Sequence, residues 1–277
     1  MVIAALGPEG TFSYEMAEKI RKRGEDILLF PTISSVFAAV EKSDARGIVP
    51  VENSEAGGVG ETMDGLLLSE CLIVAEYLMP VRHHLASMHR AEKITVIYAH
   101  PQSHAQCSRY IESLGVPVIH TSSNSKSAKE AAAVVGGAAI TTESAAKIYS
   151  LPVLIRNIQN SPDNTTRFVE IIKKPDSQKT AGEGVSVTGR LIRRSEKCSL
   201  IVDPMENRPG LLYDILGIFA KYKLNLTKIE SRPSKRGIGN YIFFIDCETD
   251  AGYGEVLSEL KDISLIKELG CYQKAEV

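Results

Sequence analysis

Through the first 174 positions, apolar residues come in short bursts separated by polar stretches and by helical patterns of similar length. Val2-Ile3-Ala4-Ala5-Leu6 contains no polar position, as expected of a strand covered on both faces. The turn Gly7-Pro8-Glu9-Gly10-Thr11-Phe12-Ser13 then leads into a helix over about 13–23, and a Thr or Ser cap opens a second helix that ends near 42. Strands are predicted at 46–51 and 72–79, with a helix at 63–68 between them. Residues 80–88 read as an extended segment that crosses into a second lobe. Strands at 94–98, 116–120 and 138–140 alternate with helices starting at His100, Ser125 and Thr142. The chain returns through 155–160 to a strand at 168–172. This alternation predicts an α/β fold.

The grammar changes after a charged, glycine-containing stretch read as a linker over 176–195. Strands at 197–203, 226–231, 240–248 and 263–269 frame helices at 211–222 and 252–260, the βαββαβ order of a ferredoxin-like sandwich. The predicted organisation is a first unit over 1–175 and a second over 196–277. Within the first unit, one lobe takes 1–79 and 158–175 and the other 80–157.

Composition narrows the function. The 277 residues carry a formal net charge of -2, so nothing marks a nucleic-acid or anionic-membrane surface. The opening residues lack the basic flank of a secretory leader, and the 131–140 run is too short to span a bilayer; a cytoplasmic location is expected. Five scattered cysteines without a C-x-x-C are expected to be separate reduced thiols, mostly small buried side chains.

Four stretches carry candidate chemistry. Thr11 sits where a glycine turn meets a helix whose free N–H groups attract an anion. Glu52-Asn53-Ser54 opens a polar, glycine-rich loop at the carboxyl end of a strand, where α/β sheets bind ligands. The loop matches neither a dinucleotide fingerprint nor a Walker loop. His100-Pro101-Gln102 starts a helix; His100 and His104 have metal-pair spacing, but no third ligand is near in sequence and no metal is expected. Asn164-Thr165-Thr166-Arg167-Phe168 sets a hydroxyl and a guanidinium where a loop enters a strand.

Gly7-Pro8-Glu9-Gly10-Thr11-Phe12, Val49-Pro50-Val51-Glu52-Asn53-Ser54, His100-Pro101-Gln102 with Gln106-Cys107, and Thr166-Arg167-Phe168 resemble, in order and spacing, the motifs of prephenate dehydratases. The last unit resembles an ACT regulatory module, with Glu206-Asn207-Arg208-Pro209-Gly210-Leu211-Leu212 and Glu230-Ser231-Arg232-Pro233 similar to its phenylalanine-binding segments. The resemblance implies a two-lobed domain like type II periplasmic binding proteins and a carbon–oxygen lyase that converts prephenate to phenylpyruvate on the route to phenylalanine. It implies no cofactor, a homodimer or homotetramer, and allosteric inhibition by phenylalanine. Thr166 is then the catalytic residue, with Thr11, Asn53, Ser54, Gln106, Thr142 and Arg167 on the substrate. Asn207, Gly210, Leu211, Leu212, Asn225, Leu226, Glu230 and Ser231 hold the effector. Two positions depart from the family pattern: Ala99 stands where a serine is common, and Thr141-Thr142 replace part of an Ala-Ser segment. A solute-binding protein and an ACT-bearing transcription regulator are the competing readings. The Thr-Arg-Phe motif argues against the first, and the lack of a basic patch against the second.

Overall fold

A computed structural model describes residues 2–175, 196–237, 239–249 and 252–275; the expected linker at 176–195 lies outside these residues. The chain begins β1 (Val2–Leu6), α1 (Phe12–Ile20), β2 (Asp26–Phe30), α2 (Ile33–Lys42), β3 (Arg46–Asn53), β4 (Gly57–Gly58), α3 (Gly60–Leu68) and β5 (Cys71–Pro80). It crosses to β6 (His84–Ser87), β7 (Val96–Ala99), α4 (Pro101–Gln106), α5 (Ser108–Leu114), β8 (Val118–His120), α6 (Asn124–Ala132), β9 (Gly137–Thr141), α7 (Glu143–Ile148) and β10 (Val153–Ile155). It returns as β11 (Thr165–Lys173). The last unit is β12 (Lys197–Pro204), α8 (Leu211–Lys221), β13 (Leu226–Pro233), β14 (Tyr241–Glu248), α9 (Tyr253–Ile263) and β15 (Ser264–Ala275).

The first lobe has the sheet order β2-β1-β3-β11-β5. β1 runs parallel to β2 and β3, whereas β11 is inserted antiparallel between β3 and β5. The returning strand therefore lies inside the sheet and delivers residues 165–167 beside the carboxyl end of β3. The second lobe is a separate sheet, β10-β6-β9-β7-β8. Two sheets joined by two crossovers make the two-lobed α/β domain, and the βαββαβ unit follows it.

Hydroxyl caps start several helices: Thr11 at α1, Thr32 at α2, Ser123 at α6 and Thr142 at α7 each accept from a backbone N–H in the first turn. Among the described residues no helix is long and apolar enough to cross a membrane.

Three features depart from the sequence expectation. β2, where the sequence reading places no strand, is an edge strand and only half covered despite its apolar run Ile27-Leu28-Leu29-Phe30. β15 runs to Ala275 rather than stopping near 269, and Gln273, Lys274 and Ala275 pair in parallel with Ala75, Glu76 and Tyr77 of β5. The sheet of the last unit is thereby continuous with that of the first lobe. Third, Cys198 and Cys271 are not separate thiols: they face each other across β12 and β15 and form a disulfide. They lie 73 positions apart, and only strand register brings them together. Cys71, Cys107 and Cys247 are free and buried.

β14 explains how the last unit is held. Six consecutive residues, Ile242 to Cys247, are buried. Phe243, Ile245 and Cys247 pack toward α8 and α9 with Leu200, Val202, Ile215 and Leu260. Ile242 and Phe244, with Ile201, Leu269 and Tyr272, join the core formed by α2, α3 and the first lobe's sheet. The sheet is covered on both faces, which is why β14 reads as a nearly continuous apolar run broken only by Asp246.

Candidate functional site

Asn53 and Thr166 are register partners on β3 and β11. Asn53 Oδ1 accepts the backbone N–H of Glu55 (3.1 Å) and of Ala56 (2.9 Å), so that atom is the oxygen and its neighbour the amide nitrogen. Nδ2 then donates to Asn164 Oδ1 at 2.7 Å and to Thr166 Oγ1 at 3.0 Å. Thr166 Oγ is thus an acceptor toward Asn53, and its own O–H is left to donate. Ser54 closes the same corner: Thr165 N donates to Ser54 Oγ at 3.0 Å, and Ser54 N to Thr165 O at 2.9 Å. Asn164, 1% exposed, also donates to Glu55 Oε2 at 3.2 Å. It belongs to this arrangement although the sequence marks it only as part of the loop that enters the strand.

Gln106 lies in the other lobe, at the end of α4, largely buried. Its Oε1 is 2.9 Å from His83 Nε2, and the His83 ring meets Phe12 edge-on at 5.4 Å between centroids. Burial pushes the His83 imidazole down to about 4, so it is neutral at neutral pH, and with Gln106 Oε1 as acceptor its proton sits on Nε2. Both crossovers meet here: Ile158 N donates to His83 O, and Asn160 N to Gln106 O. No sequence motif singles out His83; its bond to Gln106 depends on a contact between segments 23 residues apart.

Thr11 and Thr142 are occupied differently from the expectation. Thr11 Oγ accepts from Tyr14 N and donates to Pro8 O, so its side chain shapes the turn while the start of α1 stays half-exposed. Thr142 is buried; it caps α7 and donates to Gly10 O at 2.7 Å, tying one lobe to the other. Ser144 N adds a bond to Glu15 Oε1 at 3.2 Å, and burial raises the Glu15 carboxyl above its ordinary range. Gly10 permits this close approach: its φ is +81°, and a Cβ there would lie 2.8 Å from Ala145 Cα.

Arg167 is not on the cleft side. Adjacent residues of a strand point to opposite faces, and the Arg167 side chain goes away from Thr166's partners into the last unit. Its Nε donates to Glu76 Oε2 at 2.6 Å, Nη1 to Asp246 Oδ2 at 2.6 Å and Nη2 to Tyr272 OH at 2.8 Å, with only 8% of the residue exposed. Burial opposes its charge, and Asp246, Tyr272 and Glu76 outweigh that and raise its pKa. A fork committed to three partners has little left for a substrate carboxylate.

His100 caps α4 through Nδ1, whereas His104 Nδ1 lies 2.9 Å from His120 Nε2; the two histidines with metal-pair spacing have different partners. Among the described residues no group of three His, Cys, Asp or Glu is placed to hold a metal ion.

In the last unit, a cavity of about 440 Å³ is lined by Asn207, Gly210, Leu211 and Leu212, together with Tyr241 and Phe243. Asn207 Nδ2 donates to Gly239 O at 3.0 Å. Four of the expected effector residues are therefore together. Asn225 and Leu226 are at the opposite end of α8, beside Glu248 and Cys247, and outside this cavity. Glu230 points at the first lobe instead, against Gly58 and 3.0 Å from Lys228 Nζ; Ser231 is exposed on the edge strand β13.

Comparison with known proteins fits this geometry. The sequence profile of the family "Prephenate dehydratase" matches residues 3–176, and that of "ACT domain" matches 200–264. The chain is 36% identical over 99% of its length to a bifunctional chorismate mutase/prephenate dehydratase of Aquifex aeolicus, covering 74% of that protein. It is 34% identical to the prephenate dehydratase of Methanocaldococcus jannaschii, over 96% of this chain and 95% of the other. Among solved structures, a prephenate dehydratase from Arthrobacter aurescens in complex with L-Phe is 28% identical, covers 99% of this chain with 90% of its own, and superimposes with a TM-score of 0.82.

Proposed function

This chain belongs to the prephenate dehydratase family, and from that premise we propose that Thr166 is the group in it that assists the departing ring oxygen of prephenate. In the reaction the C–C bond to the ring carboxylate breaks, its electron pair enters the ring as CO₂ leaves, and the ring C–O bond breaks. Taking up a proton, the hydroxyl leaves as water and phenylpyruvate remains. The gain of aromaticity drives the reaction, so the protein must supply orientation and hydrogen bonding rather than an electron sink. A threonine hydroxyl is too weak an acid to give up its proton outright. It can donate a hydrogen bond that strengthens as charge builds on the leaving oxygen. The observation carrying this reading is that Asn53 Nδ2 donates to Thr166 Oγ1 at 3.0 Å and so turns the threonine O–H outward. Gln106, from the other lobe, and the half-exposed start of α1 at Thr11 are the substrate contacts that fit beside it. Thr142 serves the closed contact between the lobes.

Thr166→Val keeps the shape and removes the donor. kcat should fall by roughly 10²–10⁴ with KM changed much less. A folded variant with kcat within a few-fold of wild type refutes the assignment.

The same reading makes phenylalanine the effector, acting at a distance. The cavity at Asn207, Gly210, Leu211 and Leu212 offers an apolar wall for a ring and the N–H groups at the start of α8 for a carboxylate. A second copy of the chain, added along the edge strand β13, supplies Ser231 and its neighbours and makes the enzyme a homo-oligomer. A biosynthetic role places it in the cytoplasm. Calorimetric titration with phenylalanine, wild type against Gly210→Val, tests the site; equal affinity excludes it.

A further inference from the structure

The Arg167 side chain enters a closed circuit of buried hydrogen bonds. Nη2 donates to Tyr272 OH, the tyrosine hydroxyl shares a bond with Ser199 Oγ, Ser199 Oγ donates to Asp246 Oδ1, and Asp246 Oδ2 accepts from Arg167 Nη1. Lys197 Nζ completes the group, 2.8 Å from Glu76 Oε1, while Arg167 Nε holds Glu76 Oε2. Every oxygen and nitrogen of this set has a partner, and its two cations balance its two carboxylates. Ser199, Asp246 and Tyr272 are each at most 6% exposed. Burial of this kind is tolerable only when the network is complete.

Its composition is unexpected. Glu76 and Arg167 come from the first lobe, on β5 and β11; Lys197, Ser199, Asp246 and Tyr272 come from the ACT unit, on β12, β14 and β15. The circuit grips β11 at the residue next to Thr166, where its register against β3 slips by a bulge between Arg167 and Phe168. Nearby, Lys228 Nζ of β13 reaches Glu52 Oε1 at 3.2 Å, on the residue before Asn53. The ACT unit thus holds both strand ends that form the Thr166–Asn53 pair.

We propose that Asp246 and Tyr272, residues of the ACT unit, are positioning residues for catalysis: through Arg167 they set the rotation of β11 that aims the Thr166 hydroxyl. The proposal rests on the reading of Thr166 above. It gives the ACT unit a part in turnover itself, with no effector bound.

Three variants of the full chain test it: Thr166→Val, Tyr272→Phe and Asp246→Asn, each followed by thermal unfolding and by kcat and KM for prephenate without phenylalanine. Tyr272→Phe removes one oxygen and opens the circuit; kcat should fall about tenfold, the scale of one lost charge-assisted bond. Asp246→Asn leaves the buried guanidinium short of a counter-charge, and kcat should fall about a hundredfold. In both, KM should stay within about twofold, because a misaimed donor affects the transition state and not ground-state binding. A purely structural role would lower the unfolding temperature and leave kcat alone. Should Asp246→Asn not fold, Tyr272→Phe decides. Wild-type kcat in folded Tyr272→Phe, or a KM increase matching the kcat loss, overturns the proposal while Thr166→Val is impaired. Full activity of Thr166→Val instead removes the reading beneath it.

Discussion

Asn53→Asp is the sharpest probe of the hydroxyl's direction. It exchanges one NH₂ for one oxygen at nearly constant shape. The two backbone donors to Oδ1, Glu55 N and Ala56 N, still find an acceptor, so the 53–58 loop keeps its turn. The bond to Asn164 Oδ1 is lost, which costs about 1–3 kcal/mol of stability. At Thr166 the polarity inverts. A carboxylate 3.0 Å from Oγ1 cannot donate, so the threonine O–H turns toward it. To serve the substrate the hydroxyl must first leave a charge-assisted bond worth about 1.5–3 kcal/mol, which lowers kcat roughly tenfold to hundredfold. Burial of the site raises the new carboxyl's pKa, and the two backbone donors it keeps lower it. Once protonated, the carboxyl can donate to Oγ1 again. The ratio of variant to wild-type kcat should therefore climb as pH falls through the acid range, while the variant stays poor at pH 8. Steady-state turnover from pH 5 to 9, with folding followed by circular dichroism, reads this directly. A ratio near one at pH 8 would mean that Asn53 does not orient Thr166.

Two glycines with similar backbone should respond differently. Gly10→Ala adds left-handed strain, with φ +81°, to a clash with Ala145, so it should cost well over about 2 kcal/mol and loosen the lobe contact in a melting experiment; Gly210→Ala, φ +83° with no atom within 4 Å, should cost only about 1–2 kcal/mol. His83 titrates near 6.5 when unfolded but near 4 when folded, so the unfolded chain takes up protons first. Its stabilisation, complete above pH 6.5, should be lost as pH falls from 6.5 to 4, about 3 kcal/mol in all; His83→Gln should flatten that part of a urea-midpoint-versus-pH curve. Deleting residues 196–277 uncovers the first-lobe core that Ile201, Ile242, Phe244, Leu269 and Tyr272 cover. At about 1.5–3 kcal/mol per side chain this approaches the whole stability of a domain, so the fragment should unfold well below the full chain; an equally stable fragment contradicts the shared core.

Much of this protein is legible in one dimension. Strand–helix alternation, the βαββαβ order and the turn chemistry before β11 are local patterns, readable because side-chain period and backbone propensity act within a few residues. Thr166 and the Asn53 loop could be named for the same reason: they sit at strand ends, and their motifs are contiguous. Arg167 shows where this stops. Period-two geometry says only that it faces away from Thr166; what covers that face is 79 residues away at Asp246 and 105 away at Tyr272. The same limit hid the cross-strand Cys198–Cys271 pair, the half-covered β2 and the polar end of β15, whose Gln273 and Lys274 look like a tail until β5 pairs with them. Asn225, Leu226 and Glu230 were grouped with the effector segment by motif, but packing sends them to different places. Local periodicity and motif determine which elements form and which residues can do chemistry. Only the tertiary structure decides which face of each strand meets which partner, because burial and charge pairing are settled between segments far apart in the chain.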